Sequence, residues 1–294
     1  MRRLITLASI ILVIASCSRR ANDTGSEEAT KKELNMKVGK VTFLQVIEDN
    51  LKQRGIEFDF FCNFDDELEG RVLREYGALF IASDRVKIPE KCIFNDENEV
   101  SKFQNSVSKM SQEIVGVNIE LQVEAMLAYL AAREEAIKQG VDITPRGGEE
   151  AARRNFADTL RLWNSRFEPA CQYWKEKGML TDEQINHLKS LPIREQVKQV
   201  LNLEKKGIFF STRFDGTILR SVAAPGASQH LSMLALDINE YKDERVRQIM
   251  NRHGWFRTVL SDEPHFTFLG RSEEELTSLG LKKVEPDFWI PDLP

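Results

Sequence analysis

Side chains able to do metal, thiol or imidazole chemistry are scarce in this sequence. Its 294 residues include four cysteines and four histidines. Four cysteines are too few for a disulfide scaffold. Basic residues number 41 against 46 acidic ones, for a net charge of −5, and no block of Lys and Arg stands out. That argues against a nucleic-acid partner. With 41% hydrophobic and 30% charged residues, the composition excludes a collagen, a disordered acidic tail and a polytopic membrane protein. The length admits one large domain or two small ones.

What is present begins with an address. Arg2 and Arg3 precede thirteen uncharged residues, 4–16. That run is short for a bilayer span and fits the apolar region of a signal peptide. It ends in Ile14-Ala15-Ser16-Cys17. Small residues directly before a cysteine resemble the bacterial lipobox, whose cysteine is lipidated and becomes the mature N-terminus. The expectation is a signal peptide over 1–17, an acyl anchor on Cys17 and a place in the bacterial cell envelope. By analogy with such lipoproteins, Ser18 rather than Asp after the cysteine implies the outer membrane, facing the periplasm. Residues 18–37 hold almost no large apolar side chains and read as a flexible tether.

Residues 38–117 are expected to form an N-terminal accessory region, and 118–294 a second domain. Val41 to Ile47 starts a strand or a helix. The run Gly77 to Ala82 is a buried-strand candidate. Cys62 and Cys92 bracket it, and two readings stay open: a disulfide in an oxidising compartment or two buried thiols. Cys171 lies in a helical pattern and is expected in the core, as are Trp163, Tyr173 and Trp174. The spacing of Val123, Met126, Leu127 and Leu130 predicts a helix over 119–139, ended by Gly140. A short strand at 141–144 and a turn at 145–148 follow. Helices are expected at 149–164, 182–189, 193–206 and 242–253, and a strand from Ile208. Glu149, Glu150, Arg153 and Arg154 read as a solvated helix face.

Two places carry chemistry. One is Ser228 to Asp237, the other Ser261 to Phe268, and each sets a histidine near a carboxylate. A catalytic zinc site takes three protein ligands and leaves a position for water, and imidazole and carboxylate are both suitable donors. His230 precedes an expected strand, 234–238, from which Asp237 projects. His265 opens another, 265–269. Alternation puts His265, Thr267 and Leu269 on one face and Phe266 and Phe268 on the other. With the phenylalanines in the core, His265 faces a cleft, and adjacent strands would unite His230, Asp237 and His265. Asp262, three residues before His265, is placed to serve as general base. His253, on the apolar helix face, and His187, on the surface, are expected to lie outside the site.

Ser228-x-His230-x6-Asp237, with Ala235 two before the aspartate, resembles the Ser-x-His-x-x-Gly-x-Ala-x-Asp motif of the D-alanyl-D-alanine carboxypeptidase family of zinc metallopeptidases. Asp262-x-Pro264-His265-Phe266 resembles that family's second motif. The resemblance implies zinc on His230, Asp237 and His265, with Asp262 as base. It also implies an upstream arginine that binds substrate or an oxyanion. Arg146, in Thr144-Pro145-Arg146-Gly147, is one candidate and Arg213 the rival. Ser228 is expected to fix the loop or touch substrate rather than act as nucleophile. Met233 occupies the place of the motif's glycine. Asp-x-Pro-His-Phe is closer to the L-alanyl-D-glutamate endopeptidase branch, which leaves the bond cleaved open. The 82 positions between Arg146 and Ser228 point to a helical insertion.

The expected fold is α+β: a small antiparallel sheet carrying the zinc site, flanked by helices, with a helical insertion and an N-terminal accessory region. The expected function is zinc-dependent hydrolysis of peptidoglycan stem peptides, by a carboxypeptidase or a related endopeptidase held to the membrane by its lipid anchor alone. The alternatives are a non-catalytic peptidoglycan-binding lipoprotein on a peptidase-like fold and a peptidase acting on a secreted peptide.

Overall fold

A computed structural model describes residues 42–260 and 262–293. The expected signal peptide, Cys17 and the 18–37 tether lie outside the described residues. The fold is α+β, as expected: among the described residues, nine α-helices surround three small antiparallel sheets. No helix among them is long and apolar enough to cross a membrane.

The N-terminal part is helical because its apolar residues recur at helical spacing. Helix α1, Phe43–Gln53, begins at a capping box in which Thr42 and Gln45 satisfy each other's backbone N–H, and buries Phe43, Ile47 and Leu51. Helix α2 is Phe58–Phe61 and α3 is Glu67–Tyr76. The strand expected at 77–82 is instead a 3₁₀ turn, Gly77–Ile81, with all five residues buried. A continuous apolar run lacks the alternation that separates a strand from a buried helical turn. Cys62 and Cys92 form a disulfide. Helix α4 is Glu97–Asn105, followed by the hairpin of β1, Lys109–Ile114, and β2, Val117–Gln122. The helix expected from 119 therefore starts later, as α5, Val123–Lys138. Ile119 and Leu121 alternate inward as strand residues, and that pattern merges in sequence with the helical one.

The boundary expected between 117 and 118 falls inside this hairpin. One core holds side chains from Phe43 to Trp289. A second, smaller cluster joins Phe94, Val100 and Phe103 to Leu231 and Met233, so the N-terminal segment packs directly under the turn that carries His230. Burying such side chains contributes about 1.5–3 kcal/mol each. Gly226 makes the contact close. Phe94 donates its N–H to the Gly226 carbonyl at 2.9 Å, Gly226 has φ +85°, and a Cβ there would run into the Phe94 carbonyl oxygen.

The helical insertion is α6, Phe156–Glu176, α7, Asp182–Ser190, and α8, Ile193–Glu204. The helix expected at 149–164 is broken. A 3₁₀ turn at Gly148–Ala151 gives way to an extended stretch, and α6 begins only after Asn155 caps it with Asp158. Trp163 and Cys171 are buried as expected. The strand expected from Ile208 does not form. Its backbone is claimed by side chains instead: Trp174 donates to the Phe209 carbonyl at 2.7 Å, and Glu204 accepts from the N–H groups of Phe210 and Ile218.

The three-stranded sheet carries the site. Strand β3 is Ala235–Asp237, helix α9 is Glu244–Arg252, β4 is Trp255–Phe256 and β5 is His265–Phe268. Their order is β3–β5–β4, with β5 central. Asp237 lies opposite His265, and Leu236 opposite Phe266. Phe266 and Phe268 are buried in the core, which turns His265 and Thr267 to the other face. The hairpin of β6, Leu281–Val284, and β7, Phe288–Pro291, completes the chain.

Two outcomes follow from this packing. Gly147 also has positive φ, but a Cβ there meets nothing. Gly147→Ala should cost only the strain of about 1–2 kcal/mol, and Gly226→Ala about 3 kcal/mol or more, measured as the difference in urea unfolding. Burial raises the Glu204 carboxyl above its ordinary value, against the lowering effect of its Thr217, Ile218 and Phe210 hydrogen bonds. A folded value above the unfolded one means stability that is present at low pH and lost as Glu204 ionises. Glu204→Gln keeps the acceptor oxygen without the charge. Its stability relative to wild type should therefore improve as pH is raised from 4 to 7.

Candidate metal centre

Three donor atoms converge at the end of β5. His230 Nε2 is 3.1 Å from His265 Nδ1 and 3.3 Å from Asp237 Oδ1. His265 Nδ1 is 3.2 Å from the same Asp237 oxygen. A tetrahedral ion bound at about 2.0–2.1 Å sets its ligand atoms about 3.3 Å apart, so the three side chains already stand on one face of such a tetrahedron. Cross-strand pairing brings Asp237 and His265 together. His230 comes from a 3₁₀ turn, Gln229–Ser232, that leads into β3.

That turn closes at Met233, which is buried and adopts φ +59°, ψ +31°. The left-handed conformation natural to glycine is thus kept by a methionine, at a cost of roughly 1–2 kcal/mol. Burial of its side chain beside Phe94, Phe103 and Leu231 offsets that strain.

The outer ring nitrogens decide the chemistry. His230 Nδ1 lies 3.0 Å from the Ala152 carbonyl. His265 Nε2 lies 2.8 Å from Gln229 Oε1, and Gln229 is oriented by donating its amide to the Tyr76 carbonyl at 2.8 Å. Both outer nitrogens face acceptors, so the hydrogen-bond network assigns them the protons. The inner nitrogens face each other and a carboxylate. Burial raises the Asp237 carboxyl and contact with His230 and His265 lowers it, and the balance holds it well below its ordinary range. Burial, with Arg154 nearby, pushes the His230 imidazole down to about 4. Ring N–H groups anchored to acceptors are the usual support of metal-binding histidines, because they turn the opposite nitrogens toward the ion. The group is able to hold a metal ion. The one other such group among the described residues, Cys62, Glu69 and Cys92, has its thiols in the disulfide and its carboxylate paired with Arg194.

Arg154 completes the centre. It donates from Nη2 to Asp237 Oδ2 at 2.8 Å, with side chains only 18% and 15% exposed. The carboxylate thus gives one oxygen to arginine and the other to the histidine pair. This corrects the expectation that Arg154 belongs to a solvated helix face. The helix breaks at 152–155, where Ala152 offers its carbonyl to His230 and Arg154 turns inward. Arg153 beside it pairs with Glu120 at the surface, as a solvated residue would. Nothing in the sequence distinguishes the two arginines, and nothing marks Gln229 as a partner of His265.

A cavity of about 190 Å³ opens on the centre, and Asp262, Ser228 and Arg154 line it with His230, Asp237 and His265. Burial raises the Asp262 carboxyl. Asp237 adds to that rise, while His265, Arg154 and Arg146 oppose it. The Ser228 hydroxyl makes no hydrogen bond among the described residues and is free to meet a ligand. Arg146 reaches the site through its backbone, donating its N–H to the Asp237 carbonyl at 2.9 Å. Its guanidinium lies over the Tyr241 ring, 5.6 Å from the centroid, outside the cavity lining. Residues 141–144 run beside β3 without becoming a strand, joined by a single bridge from Pro145 to Ile238. Arg213 is exposed, paired with Asp215 at 3.2 Å, and is not part of the cavity. Neither of the two arginines expected to bind substrate lines this cavity. His253 bonds Glu135 at 2.9 Å, tying α9 to α5, and His187 is exposed.

Gln229→Ala removes the acceptor that holds His265. Metal affinity, measured by competition with a chromogenic chelator, should fall about 10–100-fold with the fold retained by circular dichroism.

No family model, curated protein or solved structure matches the chain, and the reading of this centre rests on its own geometry.

Proposed function

We propose that the protein is a zinc-dependent peptidase of the bacterial cell envelope, hydrolysing amide bonds in peptidoglycan stem peptides. The observation that carries the proposal is the near-tetrahedral convergence of His230, Asp237 and His265, with a further carboxylate, Asp262, lining the same cavity. Two histidines and one carboxylate, with a position left for water, are a donor set suited to catalytic zinc. When bound, zinc supplies a Lewis acid for the scissile carbonyl and eases deprotonation of water.

The protein's side chains do the rest. Asp262 takes the proton of the attacking water and returns it to the leaving amine nitrogen. A carboxyl raised by burial suits both halves of that exchange, because it holds a proton more readily than an exposed aspartate. Arg154 keeps Asp237 in place by occupying its second oxygen. Ser228 offers a hydroxyl to the bound peptide. The lipobox-like Cys17 and the polar stretch after it support a site held on a tether near the cell wall.

The test is incubation of purified peptidoglycan with zinc-loaded protein lacking residues 1–37, with released fragments identified by mass spectrometry. Stem-peptide cleavage is expected, abolished by a chelator and by His265→Ala and reduced at least 10³-fold in Asp262→Asn. A folded, zinc-loaded protein that releases nothing would sink the proposal and leave a binding lipoprotein in its place.

A further inference from the structure

Two arginines that line the cavity, Arg166 and Arg220, are not accounted for by the metal centre. On α6, Thr159, Leu162 and Arg166 follow one another at three and four residues, so they share one helix face, and all three line the cavity. Arg220, at the end of the 3₁₀ turn Ile218–Arg220, lines it too. Arg154 is neutralised by Asp237. Arg166 and Arg220 make no ion pair within the described residues, and neither carries an unrecorded contact. Arg166 gives Nη1 to the hydroxyl of Ser165 at 2.9 Å. Its Nε is buried with no partner. A buried donor left unsatisfied is costly, and a guanidinium fork is shaped to receive a planar two-oxygen anion.

The same cavity holds apolar wall from Leu162, Leu219 and Val259. Its volume, about 190 Å³, is below the roughly 300–1,000 Å³ of ordinary small-molecule pockets. It suits one short segment of peptide with its charge near the reacting bond.

We propose that Arg166 and Arg220 form a carboxylate subsite, so that the preferred ligand carries a free carboxylate close to the bond that the metal centre attacks. The subsite rests on the peptidase reading for its place next to a scissile bond. The carboxylate comes either from the peptide's C-terminus, which makes the protein a carboxypeptidase, or from the free α-carboxylate of a γ-linked glutamate within the stem, which makes it an endopeptidase. Arg166 and Arg220 bind and orient the ligand, and take no part in proton transfer.

Binding to zinc-loaded, full-length Asp262→Asn protein, measured by calorimetry, tests this without turnover. The probes are N-acetyl-D-alanyl-D-alanine and its C-terminal amide, and a γ-D-glutamyl dipeptide amide with its α-carboxylate free or amidated. One acid is expected to bind at least tenfold more tightly than its amide, and which one identifies the source of the carboxylate. Arg166→Gln, made in the same background, should erase the preference, and Arg166→Lys should restore part of it. In the active protein Arg166→Gln should raise KM more than it lowers kcat. Should Arg166→Gln fail to fold, Arg220→Gln, an exposed position, decides by the same preference. Equal binding of acid and amide in both pairs, or a preference that survives in these variants, overturns the subsite. A preference without any hydrolysis by the wild-type protein upholds the subsite and removes the peptidase reading. Hydrolysis without a preference does the reverse.

Discussion

The structure turns on three electron-rich atoms held about 3 Å apart in a buried place. Two imidazole nitrogens and a carboxylate oxygen meet there, at the spacing a tetrahedral ion asks of its ligands. Much of what surrounds them answers that constraint. The strand register sets Asp237 opposite His265, the ring protons are drawn outward to Ala152 and Gln229, and Arg154 takes the carboxylate's second oxygen. The proposed zinc chemistry needs these orientations before any substrate arrives, because a ligand set that must reorganise loses affinity and rate together.

That preorganisation draws on distant parts of the chain. The N-terminal segment packs under the His230 turn through Phe94 and Phe103, and the disulfide at Cys92 fixes the segment that leads into Phe94. Tyr76, at the end of α3, orients the glutamine that holds His265. The helical insertion supplies one wall of the cavity through α6. A region that reads as an accessory in sequence is thus part of the support for the centre. The break in the helix after Ala151 has the same origin. A regular helix across 152–155 would keep the Ala152 carbonyl and the Arg154 backbone for itself, and the site uses both.

Local rules were enough where the apolar residues of an element recur at the period of one structure only. The 182–189 and 193–206 helices, α9, β3 and β5 lie close to their expected positions because their apolar residues keep a clear period. They failed where side chains replaced backbone partners. Residues 208–210 look like a strand by composition, but Trp174 and Glu204 take their backbone groups. Gly77–Ile81 is apolar throughout, so no period could choose between strand and turn. Met233 shows the opposite case. A non-glycine residue holds the left-handed turn because burial of its side chain outweighs local strain.

By itself the sequence determined which side chains could form a metal centre. Few histidines exist, two of them sit near carboxylates in strand-forming segments, and the alternation around Phe266 and Phe268 turns His265 away from the core. Those are short-range properties, set by residue chemistry and a two-residue period. Only the tertiary structure decided which arginine serves the centre. Arg146, Arg153, Arg154 and Arg213 have the same charge and the same reach. What separates them is whether the backbone points the guanidinium at Asp237, at Glu120, at a tyrosine ring or into solvent, and for Arg154 that depends on a contact between residues 83 positions apart.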